Sequence, residues 1–229
     1  MDESVITGTM DNFRQRLQGY DPVGIDKALA MVERVVRLER LGRAIRTCRA
    51  CQFRSQATQP VPGQGNPMSP IVFVGEGPGE HEDLFGAPFV GIAGVLLTHI
   101  LDRLGYPRET IYLTNAMRCL TADRKPTAVE LQPCKVHLEE ELAILQPRVI
   151  VALGNIALHA LVAPDLRISK ARGRVFDYRG TPVVPTWHPA YILRKRGNEL
   201  IEAKQQMWAD LQLAISLLPA VKDSNQVVA

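Results

Sequence analysis

Four cysteines carry the strongest chemical signal in this 229-residue chain. Cys48 and Cys51 form a Cys-x2-Cys pair, Cys119 stands alone, and Cys134 lies fifteen positions after it. One close pair plus two scattered thiolates can hold a four-thiolate iron–sulfur cluster. A structural zinc usually shows two close pairs, and four unrelated buried thiols are the plainer alternative. Arg46, Arg49 and Arg54 around the pair weigh against that alternative. The spacing points to a metal centre without choosing the metal.

The second set of residues has organic chemistry to offer. Gly75-Glu76-Gly77-Pro78-Gly79 superficially resembles a dinucleotide-binding turn. The G-x-G-x-x-G fingerprint is not met, because the third glycine comes one residue early. Pro78 removes an N–H that a phosphate would use, and Glu80, Glu82 and Asp83 would repel a pyrophosphate. Glycines here instead let a substrate approach the backbone closely. Glu76 could polarise a water or stabilise a positive sugar. Phe89, Asn115 and His188 are singly unremarkable: a core aromatic, a turn amide and a rigid His-Pro turn. Together they offer a stacking face, a bidentate amide and an imidazole, the set that reading one planar base requires.

Charge is concentrated near His188. Between Asp165 and Lys204 there are nine Lys and Arg against four Asp and Glu, a net of +5. The whole chain is only +3, so the remainder sums to −2. Arg172 and Arg174 precede His188, and Arg194-Lys195-Arg196 follow it. Such bracketing favours contact with a phosphate backbone.

These residues need elements to position them. Ile71–Val74 is a continuous apolar run, as expected of a strand buried on both faces, and Ile111–Thr114 and Val149–Leu153 read as a second and a third strand. Pro182–Thr186 reads as a fourth strand, which its prolines move toward an edge. Helical stripes run over Ile25–Ile45, Gly91–Leu104 and Glu199–Leu218. Thr127 and Glu130 have capping-box spacing and open another helix, with a break expected at Pro133. Asn155 is the expected cap of the helix after the third strand. Glu80, Glu82 and Asp83 are expected to lead straight into a further loop, with no helix there. The proline-rich stretch from Gln52 to Pro70 predicts a long functional loop.

Strands alternating with helices give a three-layer α/β domain with a mostly parallel sheet. Ligands bind such sheets beyond the carboxyl ends of the strands, so the glycine loop, Asn115 and His188 should converge there. Domain boundaries are read as a leader over 1–22, one domain over 23–218 that includes the metal centre, and a tail over 219–229. Hydrophobic residues are 46% and charged residues 22%, which excludes a disordered, collagenous or disulfide-dense chain. No export signal or span of membrane length is evident. A monomeric, cytoplasmic protein with reduced thiols is expected.

The ordered motifs resemble the uracil-DNA glycosylase superfamily, in particular its iron–sulfur family 4. They are Gly75-Glu76-Gly77-Pro78-Gly79-Glu80, then Gly86-x-Pro88-Phe89-Val90-Gly91-x-Ala93-Gly94, then Thr114-Asn115-Ala116-Met117-Arg118-Cys119, and His188-Pro189-Ala190-Tyr191. Val61-Pro62-Gly63-x-Gly65-Asn66 is also similar to that family. The resemblance implies a central four-stranded parallel sheet between helices and a [4Fe–4S] cluster on Cys48, Cys51, Cys119 and Cys134. It implies excision of uracil from single- or double-stranded DNA, leaving an abasic site. On this reading Phe89 stacks on the flipped uracil, Asn115 reads its Watson–Crick edge, and Glu76 and Gly77 position water and base. His188 stabilises the departing anion. Glu82 matches a pocket acid that helps exclude a 5-methyl group, since Gly79 stands where other families place a tyrosine. Leu120-Thr121-Ala122-Asp123-Arg124 departs from the family's pattern after Cys119. No histidine occurs between Cys119 and Lys135, which implies turnover rather than covalent capture of DNA. A non-catalytic iron–sulfur module that binds damaged DNA or changes redox state is the alternative.

Overall fold

A computed structural model describes residues 8, 12–17, 22–121 and 126–219. Four parallel strands form its centre: β2 (Ile71–Gly75), β3 (Tyr112–Asn115), β4 (Val149–Leu153) and β6 (Thr181–Thr186). Every residue of β2, β3 and β4 is buried, which is why β2 and β4 read as apolar runs, while β3 ends in the buried polar residues Thr114 and Asn115. Two short strands extend the sheet antiparallel at its margins, β1 (Gln64–Gly65) beside β3 and β5 (Phe176–Tyr178) beside β6. The sheet is therefore six-stranded and mixed, in the order β1-β3-β2-β4-β6-β5, rather than four-stranded and wholly parallel.

Side chains alternate across this sheet into two cores. Ile71, Phe73, Val149, Val151 and Val184 pack on one face, under α3 (Ile92–Arg103) and α8 (Gly197–Ser216). Val72, Val74, Ile150 and Ala152 pack on the other, under α4 (Ala128–Leu145) and α5 (Gly154–Leu161). The long helix α1 (Pro22–Arg46) lies on α4 through Leu41, Ile45 and Ile144. This makes three layers, α/β/α.

Several expectations are corrected. A short helix α2 (Glu80–Phe85) starts directly after Gly79, where a loop was expected. Its three acidic residues lie in the first turn, where the helix dipole favours them. Helix α4 opens at its Thr127 cap but runs unbroken through Pro133. Proline there releases the carbonyl of Val129, and Val129 is 80% exposed, so water can take up the lost bond. Helix α5 starts at Gly154, and Asn155 Oδ1 accepts instead from the Ile168 N–H (2.8 Å). Strand β6 is paired on both sides, not at an edge. Pairing with β5 covers only Thr181 to Val183, so Pro185 has a partner residue in β4, Ala152, and none in β5. Within the expected leader, residues 12–16 are helical, and Arg14 Nε donates to Asp26 Oδ1 (3.1 Å). Much of the leader and most of the tail, residues 220–229, lie outside the described residues.

Candidate active site

All four parallel strands end on one side, and their carboxyl ends frame a cleft of about 710 Å3. Strand β2 delivers Glu76 and Gly77, β3 delivers Asn115, and β4 delivers Gly154 at the start of α5. Strand β6 leads through Trp187 to His188. The parallel pairing of Gly75 with Asn115 continues past the strands as Ala116 N–H to Gly75 O (2.9 Å) and Met117 N–H to Glu76 O (3.0 Å). That ladder fixes Glu76 and Asn115 relative to each other.

Gly75 is small for a reason. A Cβ there would overlap Asn115 Oδ1 and come within 2.5 Å of Phe89 Cζ. The amide of Asn115, 3% exposed, and the ring of Phe89 thus meet across one bare backbone position. The Phe89 and His188 rings lie 6.1 Å apart at 25°. His188 caps α7 (Pro189–Leu193), and its Nδ1 accepts from the Ala190 N–H (3.1 Å). An accepting Nδ1 leaves the proton of the neutral ring on Nε2, as a donor. Gly154, at φ 89°, separates two of these groups: a Cβ would overlap Glu76 Oε1 and sit 3.1 Å from His188 Cβ.

The loop that carries Phe89 is tied from several sides. Glu82 Oε2 accepts from the Gly79 N–H (3.1 Å) and Oε1 from the Gly91 N–H (2.8 Å). Its carboxylate lines the cleft but is engaged in joining two loops. Asp83 accepts from the Thr58 N–H with both oxygens (3.0 Å each) and holds the proline-rich loop. Arg108 donates to the carbonyls of Phe89 (2.8 Å) and Pro88 (2.6 Å).

Cys119 and Cys134 pack in one buried cluster, with Cys51 against it. Cys119 and Cys134 are buried, Cys48 and Cys51 half-buried. Burial pushes the Cys119 thiol up to about 12, helped by the charges of Cys134, Cys51 and Cys48 and opposed by Arg54. Burial raises Cys134 too, against a hydrogen bond from the Arg118 backbone. Four cysteine thiols are a donor set that an iron–sulfur centre or a structural zinc can use. Among the described residues, no three His, Cys, Asp or Glu stand in a closed metal-holding arrangement. Behind the thiols lies a buried network. Arg118 Nη2 pairs with Glu141 Oε2 (2.8 Å), Nη1 donates to Thr114 Oγ1, and Tyr112 Oη donates to Glu141 Oε1 (3.2 Å).

The expected phosphate contacts divide. Arg194 lines the cleft. Lys195 lies over the Tyr191 ring (4.8 Å) and pairs with Glu199 (3.0 Å), and Tyr191 stacks on Trp187 (4.4 Å). Arg174 is exposed over Phe176, and Arg196 Nη1 donates to the carbonyls of Leu193 and Lys195. Arg172 is held inside the chain: Nε and Nη2 grip Asp210 (3.0 and 2.8 Å), and Nη2 also donates to Gln206 O. Thr121 and Pro126 line the cleft, whereas Ala122, Asp123 and Arg124 lie outside the described residues. Sequence reasoning missed Arg108 and the clamping role of Asp83. A strand–glycine–helix junction was the available sign of Gly154, and nothing in the chain signalled Arg108.

Among the described residues, no helix is long and apolar enough to cross a membrane. The family model described as the uracil DNA glycosylase superfamily matches residues 62–212. A Type-4 uracil-DNA glycosylase of Thermotoga maritima is 44% identical over 166 residues, covering 71% of this chain and 86% of that protein. The Type-4 enzyme of Archaeoglobus fulgidus is 40% identical over 165 residues, 68% and 83% of the two chains. A Type-5 uracil-DNA glycosylase of Thermus thermophilus is 40% identical over 120 residues, 46% of this chain and 55% of that protein.

Proposed function

The chain belongs to the uracil-DNA glycosylase superfamily, and from that premise we propose that it is a DNA-repair glycosylase that hydrolyses the bond between uracil and deoxyribose. The observation that carries this reading is the meeting of Glu76, Asn115, Phe89 and His188 in one cleft at the carboxyl ends of the strands. Uracil enters after flipping out of the stack, which costs least where the base is mispaired or the strand single. Phe89 supplies the stacking face and Asn115 the amide that matches the Watson–Crick edge. The C1′–N1 bond breaks with its electron pair going to uracil, leaving an oxocarbenium-like sugar. The Nε2–H of His188 donates to the uracil anion, and preorganised donors of this kind are usually the largest catalytic term. Glu76 faces the cationic sugar and orients the water whose oxygen joins C1′. The water's proton passes through Glu76 to the departed base, which restores the starting ionisation.

Cys48, Cys51, Cys119 and Cys134 would hold a [4Fe–4S] cluster. When bound, it supplies iron–thiolate bonds that join the end of α1, the segment after β3 and α4. Arg194, with Arg174, Lys195 and Arg196, provides positive charge toward the DNA backbone, while Arg172 serves the fold. Residues 23–218 form one working unit on this reading.

An oligonucleotide with one uracil tests the proposal. It should become alkali-labile at that base, with thymine and cytosine controls intact. Failure of cluster-loaded protein on both single and double strands would refute it and leave a damage-binding module. Asn115→Ala and His188→Ala should each lose cleavage and retain DNA binding.

A further inference from the structure

Phe89 stands at φ 55°, a left-handed backbone conformation that a bulky residue rarely adopts. The residue is 5% exposed and its position is tightly bounded. A Cβ at Gly94 would overlap the Phe89 carbonyl, so α3 presses on this backbone from one side. Such outliers persist only where the surroundings over-determine them, and they gather at functional sites. What over-determines this one is Arg108, in the short 3-10 turn Arg108–Thr110 that precedes β3. Its two terminal nitrogens donate to consecutive carbonyls, Phe89 O at 2.8 Å and Pro88 O at 2.6 Å. A planar fork can bridge two carbonyls at once, which a single ammonium cannot reproduce. Burial works against the charge on Arg108, and Glu82, which clamps the same loop through Gly91, favours it. Arg108 does not line the cleft. It acts from behind the loop.

We propose that Arg108 is a positioning residue for the base-binding slot, holding the Phe89 ring at the distance and tilt from which it stacks on a planar pyrimidine. This rests on the reading of Phe89 as the stacking face. Stacking on an aromatic ring is worth roughly 5- to 150-fold in affinity per base, so a misplaced ring should forfeit a substantial part of that factor.

The test compares Arg108→Gln, Arg108→Lys and Phe89→Ala in the cluster-loaded protein. Inhibition of cleavage by free uracil reads the slot, and affinity for DNA with an abasic site reads the remaining surface. Arg108→Gln should weaken uracil inhibition about tenfold, raise KM for uracil-DNA, and leave abasic-DNA affinity within about twofold. Arg108→Lys should show a smaller loss of the same kind, and it covers the case in which the glutamine variant does not fold. Unchanged uracil inhibition in both arginine variants, with Phe89→Ala impaired, would overturn the proposal. So would a parallel loss of uracil inhibition, abasic-DNA affinity and Tm, which marks a brace for the fold alone. If Phe89→Ala itself leaves uracil inhibition unchanged, the stacking reading fails, and this proposal with it.

Discussion

Gly154→Ala is the perturbation whose consequence is most directly set by the geometry. Residue 154 opens α5 at φ 89° between the two groups proposed to act on opposite ends of the breaking bond. The new Cβ would overlap Glu76 Oε1 and stand 3.0 Å from Glu76 Cδ and 3.1 Å from His188 Cβ. Relief requires the carboxylate to withdraw by about 1 Å to reach ordinary contact distance. A displacement of that size costs on the order of 10²-fold in rate. The positive φ adds a separate cost of about 1–2 kcal/mol in stability, which must be kept apart from the rate effect. Single-turnover cleavage of a uracil oligonucleotide and Tm should therefore be measured for Gly154→Ala, Glu76→Asp and the double variant. The shorter aspartate leaves the space that the Cβ needs. Gly154→Ala alone should lose about 10²-fold, yet in the Glu76→Asp background it should lose only about threefold more, a strong departure from additivity. Backbone strain would act equally in both backgrounds. Additive losses, or an unchanged rate for Gly154→Ala, would refute the clash as the cause.

Three further outcomes are expected. The purified protein should be brown with about four iron atoms per chain, and Cys134→Ser should be bleached with a lower Tm; a colourless wild-type protein holding one zinc would defeat the cluster assignment. Glu141→Gln leaves the buried Arg118 charge uncompensated, so it should cost about 3–5 kcal/mol and lower Tm by roughly 10 °C, and an unchanged Tm would contradict that. Burial, then Arg118, lowers the pKa of His137. Its unfolded form, with a pKa of about 6.5, binds a proton at pH values where the folded form does not. Its contribution is present above about pH 6.5 and is lost as pH falls from there toward the lower folded pKa. Chemical denaturation between about pH 5 and 7 should show a flatter pH dependence in His137→Asn than in the wild type; equal slopes would exclude the histidine.

The central strands were legible because burial on both faces leaves no polar alternation, and Val149–Leu153 coincides with β4 to the residue. The Thr127 cap was legible because its partner Glu130 is local. Strands β1 and β5 were not, since two or three residues carry no period and exist through their neighbours. Helix α2 was hidden by its charge. The same acidic residues that make the segment look like a solvated loop are stabilising in a first turn, and their carboxylates serve partners distant in sequence. Local rules also misjudged Pro133, whose cost depends on what faces the carbonyl it releases. Arg108 was invisible for another reason: its partners are backbone carbonyls, which leave no pattern in the side chains.

The acidic loop raises a question of electrostatics, because Glu76 and Glu82 line a cleft proposed to receive a polyanion and Asp83 follows directly after Glu82. The hydrogen bonds separate the three. Both oxygens of Glu82 accept from backbone amides, at Gly79 and Gly91, and both oxygens of Asp83 accept from Thr58. Those two charges are met by fixed dipoles and are 9% and 5% exposed, so they project weakly toward a phosphate. Glu76 is different. Its carboxylate lies against Gly154 at the start of α5, within the cleft itself. Positive charge is absent on the DNA before bond cleavage and develops on the sugar as the base departs. A carboxylate placed there is unfavourable to the ground state and favourable to the transition state, and differential stabilisation of that kind is what raises kcat. The same logic makes two of the three carboxylates fasteners, and leaves one to meet the charge that appears only during the reaction.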